Sequence, residues 1–205
     1  ISGRLQGIYG PGFYAFWKNS PAARGLDIQT FDVDRFQFEH PRLQAVLEHK
    51  DASRWIEAVD VSSDHDVLLF RNGVFITQLS PGKHAFWKGT GRLLVKSQDR
   101  REQSSDIAGQ EIMTADKVTL RVNMVVTWRV TDVIKAATVV TDPDQALYRE
   151  AQLALRAAVG TRSLDQLLAD KESVGAEVRA VLVGRAVEFG VTVRGVGLRD
   201  IILPG

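Results

Sequence analysis

From Val118 to Val130 the chain alternates with near-perfect regularity. Val118, Leu120, Val122, Met124, Val126, Trp128 and Val130 share one parity, while Thr119, Arg121, Asn123, Thr127 and Arg129 share the other, with Val125 alone out of step. Side chains of a strand point alternately to its two faces, so this segment predicts a long antiparallel strand, dry on one face and wet on the other. After Thr131-Asp132 the period lengthens to that of a helix. Asp142 is placed to cap it, Pro143 suits its first position, and Gln145 stands at the capping-box place. Leu147, Ala151, Ala154, Leu155 and Ala158 line one face up to Gly160. A short helical turn follows over Ser163 to Leu168. A further helix is expected from about Ala169, with Val174, Val178, Val181, Leu182 and Phe189 inward and Gly190 as its stop. Val191, Val193 and Val196 then read as a terminal strand.

The first half is β-rich. Pro41 to Trp55 reads as one short helix carrying Leu43, Val46 and Leu47, and Glu57 to Phe70 as strand. Asn72-Gly73 marks a type I′ hairpin. Pro81-Gly82-Lys83-His84-Ala85-Phe86-Trp87-Lys88 repeats Pro11-Gly12-Phe13-Tyr14-Ala15-Phe16-Trp17-Lys18 at six of eight positions. Proline followed by glycine suits the centre of a type II turn, so each copy predicts a hairpin with Trp17 and Trp87 in equivalent packed positions. Strands, then helices, then one strand make the fold class α+β rather than a doubly wound parallel sheet. Residues 1–56 are expected to form a partial repeat of an N-terminal β unit plus a short helix, and 57–205 the main domain.

Composition narrows the function. A chain of 205 residues, 44% hydrophobic and 25% charged, has the make-up of a folded globular domain. Its 26 Lys and Arg against 25 Asp and Glu leave a net charge of +1, so no general field draws it to nucleic acid. With no cysteine it has neither disulfides, thiol catalysis nor cysteine-based metal sites. The longest apolar runs, such as Val67 to Phe70, are strand-sized and far short of the roughly 20 residues that span a bilayer.

Three segments carry a family likeness. They are Gly109-Gln110-Glu111-Ile112-Met113-Thr114-Ala115-Asp116-Lys117-Val118-Thr119-Leu120-Arg121-Val122-Asn123, Val159-Gly160-Thr161-Arg162-Ser163-Leu164-Asp165-Gln166-Leu167-Leu168, and the ending from Gly190 to Pro204 that contains Arg199-Asp200-Ile201-Ile202-Leu203. In this order they resemble the SPFH (band 7) domain of the stomatin/slipin branch, over about residues 60 to 205. Two departures are Val133, where a proline commonly follows the aspartate, and Trp128, where tyrosine is usual. The resemblance implies an α+β domain with no catalytic centre and no cofactor, acting as an oligomeric scaffold on a membrane. It implies the bacterial inner membrane, with the domain on the cytoplasmic side, and as typical partner a membrane-anchored serine protease. The extra N-terminal unit resembles the domain's own β unit, an arrangement of some bacterial slipins. Ile1 and the terminal Leu203-Pro204-Gly205 read as the ends of a fragment, so the family's membrane segment and long coiled coil are expected outside these residues.

Enzymatic chemistry finds little purchase. Ser62, Ser63, Asp64, His65 and Asp66 are adjacent in sequence, but neighbours on a strand face opposite ways and no Gly-x-Ser-x-Gly elbow accompanies them. His65 between two aspartates lacks the spacing that converges metal ligands. Gly89-Thr90-Gly91-Arg92 and Gly195-Val196-Gly197 neither follow a strand into a helix nor include the Lys-Ser/Thr of a phosphate loop. Assembly is therefore the expected function. The candidate oligomer interface comprises Arg179 and Arg185 on the long helix and Arg121 and Arg129 on the wet face of the strand, where opposite charges on a neighbour set register. The fragment alone is expected to associate weakly, and a longer chain to form large oligomers. The alternative is a soluble adaptor or ligand-binding module that uses the duplicated β unit.

Overall fold

The segment from Pro41 to Trp55 forms two helices rather than one, α1 (Leu43–Leu47) and α2 (Ala52–Trp55). Local hydrogen bonds intervene: the Asp51 N–H donates to His49 Nδ1 at 3.3 Å and the Ala52 N–H to the His49 carbonyl at 2.9 Å. Such turn bonds compete with continued helix. The structure, a computed structural model, describes residues 5–10, 14–15, 27–109 and 111–203. These divide into two compact units, one of the described residues up to Ser63 with Val67–Val95, the other of Asp64–Asp66 with the described residues from Lys96 on.

In the first unit β1 (Ile56–Val61) precedes β2 (His65–Arg71) and β3 (Val74–Leu79), which are joined by the expected hairpin. Asn72 and Gly73 have φ of 52° and 83°, both positive as a type I′ turn requires. β4 (Gly82–Trp87) and the start of β5 (Leu93–Asp99) complete it. The Pro81-Gly82 pair does not close a hairpin. β3 pairs with β2 and β4 with β1, so these two residues carry the chain from one sheet to another, and Gly82 takes a φ of 130°. The pairing of Leu79 with Val67 commits β3 to β2 and leaves β4 to find Ile56–Val61. Phe86 is fully buried with Val61, Val67, Leu69 and Leu79, and a second cluster gathers Phe38, Val46, Ile56 and Ala85. Trp87 is half-buried, its ring 4.9 Å from that of Phe38. Trp17 and most of its copy of the repeat lie outside the described residues.

The second unit holds the predicted strand as β8 (Thr119–Val130), preceded by β6 (Gln103–Ile107) and β7 (Glu111–Met113). Its even-numbered residues from Leu120 to Val130 are buried and its odd-numbered ones are not, as the alternation requires. Both β6 and β7 pair with it on one side. The helices α3 (Val133–Thr138), α4 (Pro143–Gly160), α5 (Leu164–Ala169) and α6 (Lys171–Ala186) follow. Asp142 caps α4 by accepting from the N–H groups of Asp144 and Gln145, but the reciprocal capping box forms at Ser163 and Gln166 of α5 instead. α6 buries Val174, Val178, Leu182 and Ala186, a row of four-residue steps, and Val181 falls off that row at 47% exposed, contrary to its inward expectation.

A 3₁₀ turn over Val187–Phe189 leads to Gly190, whose φ of 79° reverses the chain into β9 (Val191–Ile202). This strand is longer than the valines suggest and pairs antiparallel with β8 along its whole length. Arg194 and Arg199 are its two bulged residues.

A candidate self-association surface

Because β8 and β9 bury the face carrying Trp128, Val130, Val191 and Val193, α6 must lie across it, and α4 packs against α6. The reversal at Gly190 then runs β9 back along α6. Between them lies an open groove of about 440 Å³, lined by Glu172, Ala176, Arg179, Ala180 and Val183 of the helix and by Val196 of the strand. A Cβ on Gly175 would stand 3.4 Å from the Val196 carbonyl, so this residue lets helix and strand approach closely.

The four candidate interface arginines do not form one patch. Arg121 and Arg129 lie on the exposed parity of β8, on the face opposite the helices and eight residues apart, which is about 27 Å of strand. Arg121 is engaged by Glu111 at 2.9 Å. On α6, Arg179 and Arg185 are six residues apart and so point about 120° from each other around the axis. Arg185 faces Glu150 at 3.8 Å and Glu188 at 3.7 Å. Arg129 and Arg179 make no ion pair among the described residues, and Arg179 borders the groove between α6 and β9. Glu177, two residues before Arg179, is held by Arg162 at 2.7 Å.

Comparison with known proteins adds what geometry cannot. The model of the SPFH domain / Band 7 family matches residues 59–205. This chain belongs to that family. It is 32% identical to mouse stomatin over 152 residues, 74% of this chain and 54% of the relative. It is 34% identical to stomatin-3 of Caenorhabditis elegans and 33% to human stomatin-like protein 3, in each case over 57% of this chain, covering 46% and 43% of those proteins. The SPFH domain is thus of the stomatin branch, and the chain spans about half the length of the curated relatives it matches.

Within the SPFH domain the segments that carry the family likeness are structural joints. Lys117 adopts a φ of 66° in a turn closed by Thr114, whose hydroxyl donates to Asp116 at 2.5 Å and accepts from the Val118 N–H at 3.0 Å. The Thr114 hydroxyl, and secondarily the Leu164 N–H, hold the Asp116 carboxyl below its ordinary value. Arg162 donates to the Ala158 carbonyl at 2.8 Å while its own carbonyl accepts from Ala115. The β7–β8 turn is thereby tied to the end of α4 and the start of α5.

The cluster around His65 is likewise an ion network of the SPFH domain. His65 Nδ1 lies 2.8 Å from Asp64, Arg101 reaches Asp64 at 3.6 Å and Asp99 at 2.5 Å, and Arg100 reaches Asp66 at 3.6 Å. Hydrogen bonds from Arg101 hold the Asp99 carboxyl at about 2. His84 Nε2 donates to the Ser80 carbonyl at 2.7 Å. Among the described residues no group of three or more His, Asp or Glu side chains is arranged to hold a metal ion. One polar site escapes sequence reasoning altogether. Trp128 Nε1 donates to Ser105 Oγ at 2.7 Å, and Ser105 donates to Asp144, joining β8, β6 and α4 beneath the surface. Only the lone serine at a dry-parity position of β6 hints at it.

Proposed function

We propose that this chain is the scaffold domain of a membrane-associated, self-assembling protein that organises partners at the membrane and performs no chemistry of its own. Family membership over residues 59–205 carries the reading. Exposed charge and apolar surface on α6, with Val181 and Val183 at 47% and 42% exposed, and Val187 in the 3₁₀ turn after it at 53%, support lateral contact as its physical means. No described helix is long and apolar enough to cross a membrane, so the tether of this proposal is either a segment outside the described helices or a peripheral contact. The partner that fits the stomatin branch is a membrane-anchored serine protease, and the compartment the cytoplasmic side of a bacterial inner membrane. Residues 1–56 serve in this reading as a partial repeat of the domain's N-terminal β unit plus a short helical segment.

Assembly multiplies weak contacts: tethering raises their effective concentration toward about the millimolar range, where pairs too weak to detect in free solution become occupied. The test is cross-linking of the protein in its native membranes followed by sizing. Ladders extending to many protomers are expected. R179E should shorten them more than R185E, because Arg185 already has two carboxylates of its own chain. A monomer at every cross-linker dose would overturn the proposal.

A further inference from the structure

Glu172 and Arg179 sit seven residues apart on α6, close to two helical turns, and therefore on one side of it. Both are exposed, both border the groove, and neither has an ion pair among the described residues. Their midpoint falls between Gly175 and Ala176, where the helix carries its least side-chain bulk. A second α6 laid antiparallel across that point, about a two-fold axis, places Glu172 of each copy opposite Arg179 of the other. The same operation brings Ala176 to the axis. Charge and shape are thus self-complementary, which is what an isologous contact demands.

The neighbouring surfaces fit less well. The outer edge of β9 is interrupted by bulges at Arg194 and Arg199, and bulged, charged edges resist strand addition. Arg185 is already paired with Glu150 and Glu188, and Glu177 with Arg162. We infer that the α6–β9 groove binds a second copy of this chain, as an antiparallel α6–α6 pair with reciprocal Glu172–Arg179 ion pairs. This rests on the assembly reading above and specifies one contact within it. Two exposed ion pairs over a small apolar patch make a weak dimer, sensitive to salt.

The experiment measures self-association of the chain by sedimentation equilibrium at low salt, from micromolar to millimolar protein. E172R places positive charge at both positions, and R179E negative charge at both, so each alone should weaken association by roughly tenfold or more. An equimolar mixture of the two variants should restore it as a heterodimer, and the double variant E172R/R179E as a homodimer. Both positions are exposed, and circular dichroism checks that the variants fold. Because the chain has no native cysteine, A176C supplies a second reading: it should form disulfide-linked dimers, which need Cα atoms within about 7 Å, faster than L153C on the exposed side of α4. Association that survives both single reversals, or that mixing fails to restore, overturns this contact while leaving assembly through another surface intact. A native chain that stays monomeric at millimolar concentration, with A176C no faster than L153C, also overturns it, and the membrane cross-linking then decides the assembly reading separately.

Discussion

Gly190 and Gly73 offer a matched pair of perturbations, since their φ values, 79° and 83°, are nearly equal while their surroundings are opposite. Alanine at either must enter the left-handed region, a strain of about 1 kcal/mol or somewhat more. At Gly73 nothing lies within 4 Å of the new Cβ, so that strain is the whole cost. At Gly190 the Cβ would stand 2.2 Å from the Asp132 carbonyl oxygen and 3.0 Å from the Ala136 nitrogen. The backbone at the start of α3 must then move away. The Gly190 carbonyl accepts from the N–H groups of Thr131 at 2.9 Å and Asp132 at 3.0 Å, and losing these adds about 1 kcal/mol each. G190A should therefore cost roughly 3 to 4 kcal/mol, against about 1 for G73A. Hydrogen exchange read by mass spectrometry assigns each loss to its own unit: β8 and α6 for G190A, β2 and β3 for G73A. The β9 edge of the groove depends on the same corner, so G190A should also weaken self-association. Equal losses from the two substitutions, or less than about 1.5 kcal/mol from G190A, would refute the steric argument.

Two further outcomes follow from polar contacts. S105A strands the buried Trp128 N–H and removes a donor from Asp144, and should cost about 1 to 3 kcal/mol in urea melts; a neutral result would mean that water replaces the hydroxyl. Asp99 is held from 3.8 down to about 2 by Arg101, so the stability this carboxylate contributes is complete above pH 4 and is lost as pH falls through about 2. R101Q should return Asp99 toward 3.8 in a carboxyl NMR titration, and an unchanged value would show that another group holds it.

Period and spacing alone pick out β8, α4, α5, α6 and the start of β9 in the second unit, but not β6, β7 or α3, which are too short to carry a period. An alternation of thirteen residues has one comfortable solution, a strand with a dry face, and β8 adopts it. Asp142-Pro143 and Gly190 terminate helices because capping and positive φ are local demands, met by those residue types wherever they occur. Partner choice is a different matter. Nothing in Pro81-Gly82 distinguishes a hairpin from a crossover, because what decides is whether β4 gains more from β3 or from the distant Ile56–Val61. Similarly, the sequence makes Arg179 and Arg185 look alike, and only the placement of Glu150 and Glu188 beside one and of an open groove beside the other separates them. Ser105 binds Trp128 and Asp144 across separations of 23 and 39 residues, which no local pattern encodes. Local rules thus set each element's type and ends, whereas its neighbours, and hence the groove, arise from burial summed over segments remote in the chain.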